Sequence, residues 1–220
     1  MLTILKYFGL AFSALLPLIN PLGSALMFMG IVGLAPVSEF RQLAKKVAIS
    51  TVLFLLVIEA VGATLLSFFG ISLPVVQLAG GFVIAAIGWG LLNQSSGAAA
   101  SGHTVEPGNS QGALEDKVFY PLTFPITAGP GSVVVMLTLS AHASSSVLLK
   151  NALGHVGIAI AVVALSYAVY LCYTYAPKIT QKISPSTVQG ILRVIAFVLL
   201  CIGVQIAWNG LEGLLKAMPK

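Results

Sequence analysis

The chain has 220 residues, 58% hydrophobic and only 8% charged, with a mean hydropathy of +1.01. Soluble domains carry roughly a quarter charged residues, so water is excluded as the main solvent and the lipid bilayer is the expected partner. The formal charge of +5 comes from lysines and arginines scattered over the segments that flank apolar stretches. They form no patch or stripe, which excludes a nucleic-acid surface.

No Asp, Glu, Lys or Arg occurs from Tyr7 to Ser38, from Ala60 to Val105 or from Val118 to Leu149, and about 20 mainly apolar residues suffice to cross a bilayer. Six spans are predicted at 7–35, 44–68, 73–93, 118–141, 151–176 and 187–212. The first superficially resembles a secretory signal because Lys6 precedes an apolar run. That run continues past Pro21 to Val37 without a convincing small-residue cleavage site, so it is read as a retained span.

The first span contains Pro17 and the sequence Asn20-Pro21-Leu22-Gly23, followed by Ser24. Proline removes a backbone donor and clashes with the preceding turn, so the helix is expected to bend or unwind there. In hydrocarbon each freed backbone group costs several kcal/mol unless it is satisfied, so such a break belongs against protein or a water-filled cavity. Asn20 offers an amide donor and a carbonyl acceptor for the backbone or for a polar ligand.

In the second span Glu59 is the acid that lies well inside an apolar run. Intramembrane ionisable groups are functional candidates because a charge there is costly, which makes Glu59 a candidate carrier of a coupling proton. It equally fits a residue that snorkels to the nearer edge or stays protonated as packing. Gly80-Gly81, Gly88 and Gly90 in the third span are read as close helix contacts.

Residues 93–112 are rich in Ser, Gly, Ala and Asn and lack helical periodicity, which suits a linker. The predicted organisation is a three-helix repeat over 1–93, a flexible cytoplasmic linker over 94–117 and a second three-helix repeat over 118–220. The fourth span carries Pro121, Pro125 and then Thr127-Ala128-Gly129-Pro130-Gly131-Ser132, with Thr123 close by. Its glycines are expected to allow left-handed torsions and close approach of a ligand. Helix halves that start after Pro21 and Pro130 would present amide groups and a positive dipole end to an anionic group.

Pro17, Asn20, Pro21 and Gly23 recur as Pro125, Gly129, Pro130 and Gly131 at offsets of 108 or 109, and Gln77–Trp89 lies against Arg193–Gln205 at an offset of 116. Three spans per half is an odd number, so the second half must enter the membrane from the opposite side. The fold class is therefore an all-α membrane protein of six transmembrane helices, built as two inverted three-helix repeats with spans one and four broken at NPxG and AGPG. Either break alone reads as an ordinary kink. Two at matching positions of an inverted repeat point to a binding site near the membrane midplane.

Arg41, Lys45, Lys46, Lys117, Lys178, Lys182 and Arg193 fall on one side of such a topology, and Lys6, Lys150, Lys216 and Lys220 on the other. The richer side is expected to be cytoplasmic, which leaves both termini periplasmic. Cys172 and Cys201 lie in apolar surroundings without metal-ligand spacing and are read as packing. A serine-hydrolase reading from Ser132, His142 and His155 lacks the G-x-S spacing, and no metal or cofactor is expected.

Leu15 to Phe28 (LLPLINPLGSALMF), Phe68 to Gly88 (FFGISLPVVQLAGGFVIAAIG), Val118 to Val135 (VFYPLTFPITAGPGSVVV) and Gly203 to Gly210 (GVQIAWNG) together resemble the MarC family of bacterial membrane proteins. The resemblance implies a six-span protein of the bacterial inner membrane, with small neutral amino acid transport attributed to some members. It places that function on Asn20, Pro21 and Gly23 and on Ala128, Gly129, Pro130 and Gly131, and it requires no acid at Glu59. The expected function is a secondary transporter of a small solute, driven by a coupling proton or sodium ion, with an oligomer compatible. A passive channel or a non-transporting partner of another membrane protein is the alternative.

Overall fold

The computed structural model describes residues 1–32, 36–93, 116–145, 147–182 and 185–218, and within these the chain forms helices and no strand. The helices are α1 (Leu2–Ile19), α2 (Pro21–Val32), α3 (Val37–Phe68), α4 (Leu73–Asn93), α5 (Val118–Thr127), α6 (Pro130–Ala143), α7 (Leu148–Lys182) and α8 (Pro185–Ala217). A helix pairs its own backbone groups within one segment, which is what a chain in hydrocarbon requires. The predicted linker lies outside the described residues apart from Asp116 and Lys117, which turn into α5.

Four stretches are long and apolar enough to cross a membrane: Leu2–Met29, Leu73–Asn93, Leu148–Lys178 and Gln189–Ala217. A fifth arises if α5 and α6, bent 70° from each other, are one broken span. The first stretch runs through the Asn20-Pro21 junction, so α1 and most of α2 continue as one rod. The third predicted span coincides with α4, whereas α3, α7 and α8 extend beyond their predicted apolar cores. At 1.5 Å per residue, the 32 residues of α3 make a rod of about 48 Å against a hydrocarbon thickness of about 30 Å. Its first turns, with Glu39, Arg41, Lys45 and Lys46, have length enough to project beyond the apolar layer.

Outward faces are apolar: Leu53, Phe82, Trp89, Val163, Phe197 and Trp208 are all more than half exposed. Buried positions include many small polar residues, among them Ser24, Thr51, Thr123, Thr127, Ser132 and Ser140. This distribution suits a lipid surround, where association of helices relies on close packing and interhelical hydrogen bonds instead of hydrophobic burial.

The two ends of the sequence interleave. α1 and α2 pack on α7, α5 and α6 pack on α3, and α4 lies along α8. Glycines set that last contact. A Cβ on Gly81 would strike the Gly203 carbonyl and Ala207, and one on Gly203 would strike the Gly81 carbonyl and Ala85. A Cβ on Gly88 would meet the Ala196 carbonyl and Leu200, and one on Gly210 the Pro74 carbonyl and Leu78. Positions rise along α4 as they fall along α8, so the pair is antiparallel. Every partner in it exchanges at an offset of 122 (203−81, 207−85, 210−88, 196−74, 200−78). Equivalent positions of the two helices in this contact thus stand 122 apart, whereas the likeness read from the sequence stands at 116, because backbone approach at the glycines sets the contact and runs of similar aliphatic residues do not.

Candidate functional site

At the first break Asn20 closes α1 in the left-handed conformation (φ 43, ψ 68), with its amide bonded to the Leu16 carbonyl. Asparagine tolerates this region better than most residues with a β-carbon. Its side chain also starts the next helix, since Oδ1 accepts the Gly23 amide at 3.1 Å. Its carbonyl accepts the Ser24 amide and the Ser24 hydroxyl, each at 2.9 Å. Pro21 at the first helical position gives up an amide that would have been unpaired anyway. Asn20 therefore caps two helices at once, and Gly23 makes room for it: a Cβ there would collide with the Asn20 amide nitrogen and Cγ.

The second break is built differently. Tyr120 and Phe124 are extended (φ −119, ψ 121 and φ −118, ψ 126) inside α5, as residues before proline tend to be. Their bonds to Pro121 and Pro125 are cis. Amides reach back five residues, Leu122 to Lys117 and Ala128 to Thr123. The Thr123 hydroxyl donates to the Val118 carbonyl at 2.8 Å and the Thr127 hydroxyl to the Leu122 carbonyl at 2.6 Å. The segment is a tandem repeat, Tyr-Pro-Leu-Thr then Phe-Pro-Ile-Thr, in which each threonine supplies a side-chain donor two residues after a proline that has no amide proton.

Gly129 has φ −77 and ψ 179, and Gly70 is the glycine with positive φ among the described residues. The expected left-handed freedom of the Gly129-Pro130-Gly131 glycines is not used. Instead Gly131 is a close-packing position, where a Cβ would come within 2.8 Å of Leu18 and 2.9 Å of Ile84. The start of α6 is pressed between α1 and α4. Pro130 is exposed, while Ala128, Gly131 and Ser132 are buried.

Tyr173 on α7 joins the two breaks. It is fully buried, stacks on Phe28 of α2 at 4.3 Å, and Phe28 meets Phe40 edge-on at 5.7 Å. Its hydroxyl lies 2.7 Å from Thr127 Oγ1. Because the Thr127 proton goes to the Leu122 carbonyl, Tyr173 is the donor in that contact. The Ser24 hydroxyl lies beside the same phenol. Ser24, Tyr173 and Thr127 thus form a buried polar strip from one break to the other. Ser132 has its hydroxyl buried with no protein partner; Thr138, Ser166 and Thr174 share that property, and of the four Ser132 sits in the first turn of α6.

Sequence reasoning named Asn20, Pro21, Gly23, Ser24 and the run Thr127 to Ser132 but missed Tyr173. A tyrosine in an apolar helix gives no sign of its long-range partners. The Pro-x-Thr repeat was the available signal for α5. Glu59 lies elsewhere: its Oε1 is 3.0 Å from His155 Nδ1 and its carbonyl accepts the Ser140 hydroxyl at 3.0 Å. Ser132 and His142 stand in the first and last turns of α6, far from hydrogen-bonding reach.

These features define a class: an integral, multi-pass helical membrane protein whose interior holds an interrupted helix and a buried polar strip. The model of the MarC family integral membrane proteins matches residues 5–215, and the chain belongs to that family. It is 27% identical over 98% of its length to the UPF0056 inner membrane protein MarC of Citrobacter koseri, covering 99% of that protein. Membrane proteins of the same UPF0056 group from Methanocaldococcus jannaschii (29% identical, 96% of this chain, 98% of the relative) and Pyrococcus abyssi (26%, 97% and 98%) match over similar lengths. No solved structure matches the chain.

Proposed function

We infer that the protein is a secondary transporter of small solutes, of the small neutral amino acid class, working by alternating access around the two breaks. The observation that carries this reading is the polar strip Ser24–Tyr173–Thr127, which runs from one break to the other, together with the unpartnered Ser132 hydroxyl in the first turn of α6 after the second break. A buried hydroxyl without a partner costs about 1–3 kcal/mol, and a ligand group bonding to it would recover that cost. The positive dipole end at the start of α6 suits a carboxylate, and the Asn20 region suits an ammonium group.

The architecture proposed is the six-span inverted repeat, with α3 as the further span. The interleaving of α1 and α2 on α7 with α5 and α6 on α3, and the antiparallel α4–α8 pair that exchanges partners at one offset, are what a two-fold axis in the membrane plane would produce. The solute is coupled to a proton or sodium gradient, and the setting is the bacterial inner membrane with both termini periplasmic.

The test is counterflow of labelled alanine, glycine and serine in proteoliposomes, together with gradient-driven accumulation. Saturable counterflow is expected in the wild type. Asn20→Ala and Gly131→Leu are expected to abolish it while still inserting. Ser132→Ala is the sharper variant: it is expected to keep or raise thermal stability while weakening apparent affinity tenfold or more. Non-saturating flux would replace this reading with a channel, and normal transport by well-folded Asn20→Ala and Ser132→Ala would remove the site.

A further inference from the structure

Glu59 and His155 meet at the end of the molecule away from the breaks. Along α7, His155 lies seven positions after Leu148, and Tyr173 a further eighteen positions on, about 27 Å along the axis at 1.5 Å per residue. Glu59 is buried at 8% exposure and His155 is about a third exposed, so the pair is open to its surroundings only on the histidine side. Four helices converge there. Ser140 of α6 donates to the Glu59 carbonyl, and Tyr7 of α1 donates to the His142 carbonyl at 2.7 Å. Gly154 of α7 packs on Ala143 and Tyr7, and Gly157 on the Ile4 carbonyl.

The geometry points to Glu59–His155 as a proton-binding clasp that holds this end of the transporter closed, a role that rests on the transporter reading above. The pair links α3 of the first half to α7 of the second. With one proton between Oε1 and Nδ1 the pair is neutral overall, whichever atom holds it, and can stay buried. Without that proton a lone carboxylate faces a neutral imidazole. A buried, uncompensated charge is strongly unfavourable, so losing the proton to solution favours a conformation in which water reaches Glu59 and the helices part. Among the described residues no other group on the neighbouring helices takes that place. His142 turns its Nδ1 to the Thr138 carbonyl at 2.7 Å, Lys6 stands over the Tyr7 ring, and the Tyr7 hydroxyl is committed to His142. Lys150 is exposed on the turn before His155, and the other charged residues of α3 lie at its far end. α6 runs from Gly131 and Ser132 at the break to Ser140 at the clasp, so parting at one end moves the other.

Ala143 is buried against Gly154 and reports opening of this end. Thiol labelling of Ala143→Cys, with Cys172 and Cys201 replaced by serine and a separate Ser145→Cys variant at an exposed position between α6 and α7 as the reference for reagent chemistry, needs no transported solute. One proton governs closure, so the labelling rate relative to the Ser145→Cys reference is expected to rise by up to about tenfold per pH unit on the alkaline side. Glu59→Gln, which keeps the shape and cannot lose a proton, is expected to make the ratio independent of pH, and His155→Gln to displace the response along the pH axis. A ratio that is flat with Glu59 and His155 in place, or that keeps its full pH response in Glu59→Gln, overturns the clasp. Counterflow in the same preparations judges the transporter reading separately.

Discussion

Gly23 has no room for a β-carbon because the Asn20 amide already fills that space. The cap and the glycine are thus one device, and they are expected to behave as one in a double-mutant cycle. Asn20→Ala and Gly23→Ala should each lower stability by about 0.5–2 kcal/mol, the range for a lost cap. In the Asn20→Ala background the added methyl meets no amide, so Gly23→Ala should cost clearly less there. Thermal unfolding in detergent checks this, and strict additivity would show that the two residues act independently.

Elements are held together by backbone approach as much as by side chains. α4 gives an internal control: a Cβ on Gly88 would sit 2.6 Å from the Leu200 amide, whereas Gly90 has nothing within 4 Å. Gly88→Ala is expected to destabilise by about 1–3 kcal/mol through overpacking. Gly90→Ala is expected to be neutral or to stabilise by up to about 1 kcal/mol through helix propensity. The same logic joins Gly88 to Gly210 and Gly81 to Gly203, so alanine at either member of a pair should do similar damage. Yield of monodisperse protein and melting temperature read this out, and equal tolerance at Gly88 and Gly90 would refute the close crossing. The two breaks differ as elements. The first is a pinch in a continuing rod, held by one asparagine; the second is a 70° bend whose irregular approach is supported by Thr123 and Thr127. Proline content marked both places but not this difference, which depends on where the left-handed residue falls and on side-chain donors two positions beyond each proline.

At the scale of the whole molecule the inverted-repeat proposal sets the orientation of the termini. Reporters that are active only outside the cytoplasm are expected to be active on both the N- and C-terminus, and a reporter inserted between α4 and α5 to be inactive. Termini on opposite sides would end the six-span proposal, and termini both inside would reverse the assignment made from Lys and Arg. Such a topology would also place the Glu59–His155 pair toward the periplasm and the Tyr173 end of α7 toward the cytoplasm.

Solvent, helical class and the places where helices break were all legible in the sequence, because hydropathy, charge-free length and proline chemistry act locally. The matching of α4 to the predicted 73–93 and of the junctions to Asn20-Pro21 and Gly129-Pro130 follows from those local rules. Tertiary structure alone decided the rest. Aliphatic residues along a membrane helix are nearly interchangeable in composition, so the register of α4 on α8 became visible only where glycines let backbones touch. Tyr173 and His155 found Thr127 and Glu59 across 46 and 96 positions of sequence. Such pairings arise from how helices pack in three dimensions, and no periodicity within a single helix encodes them.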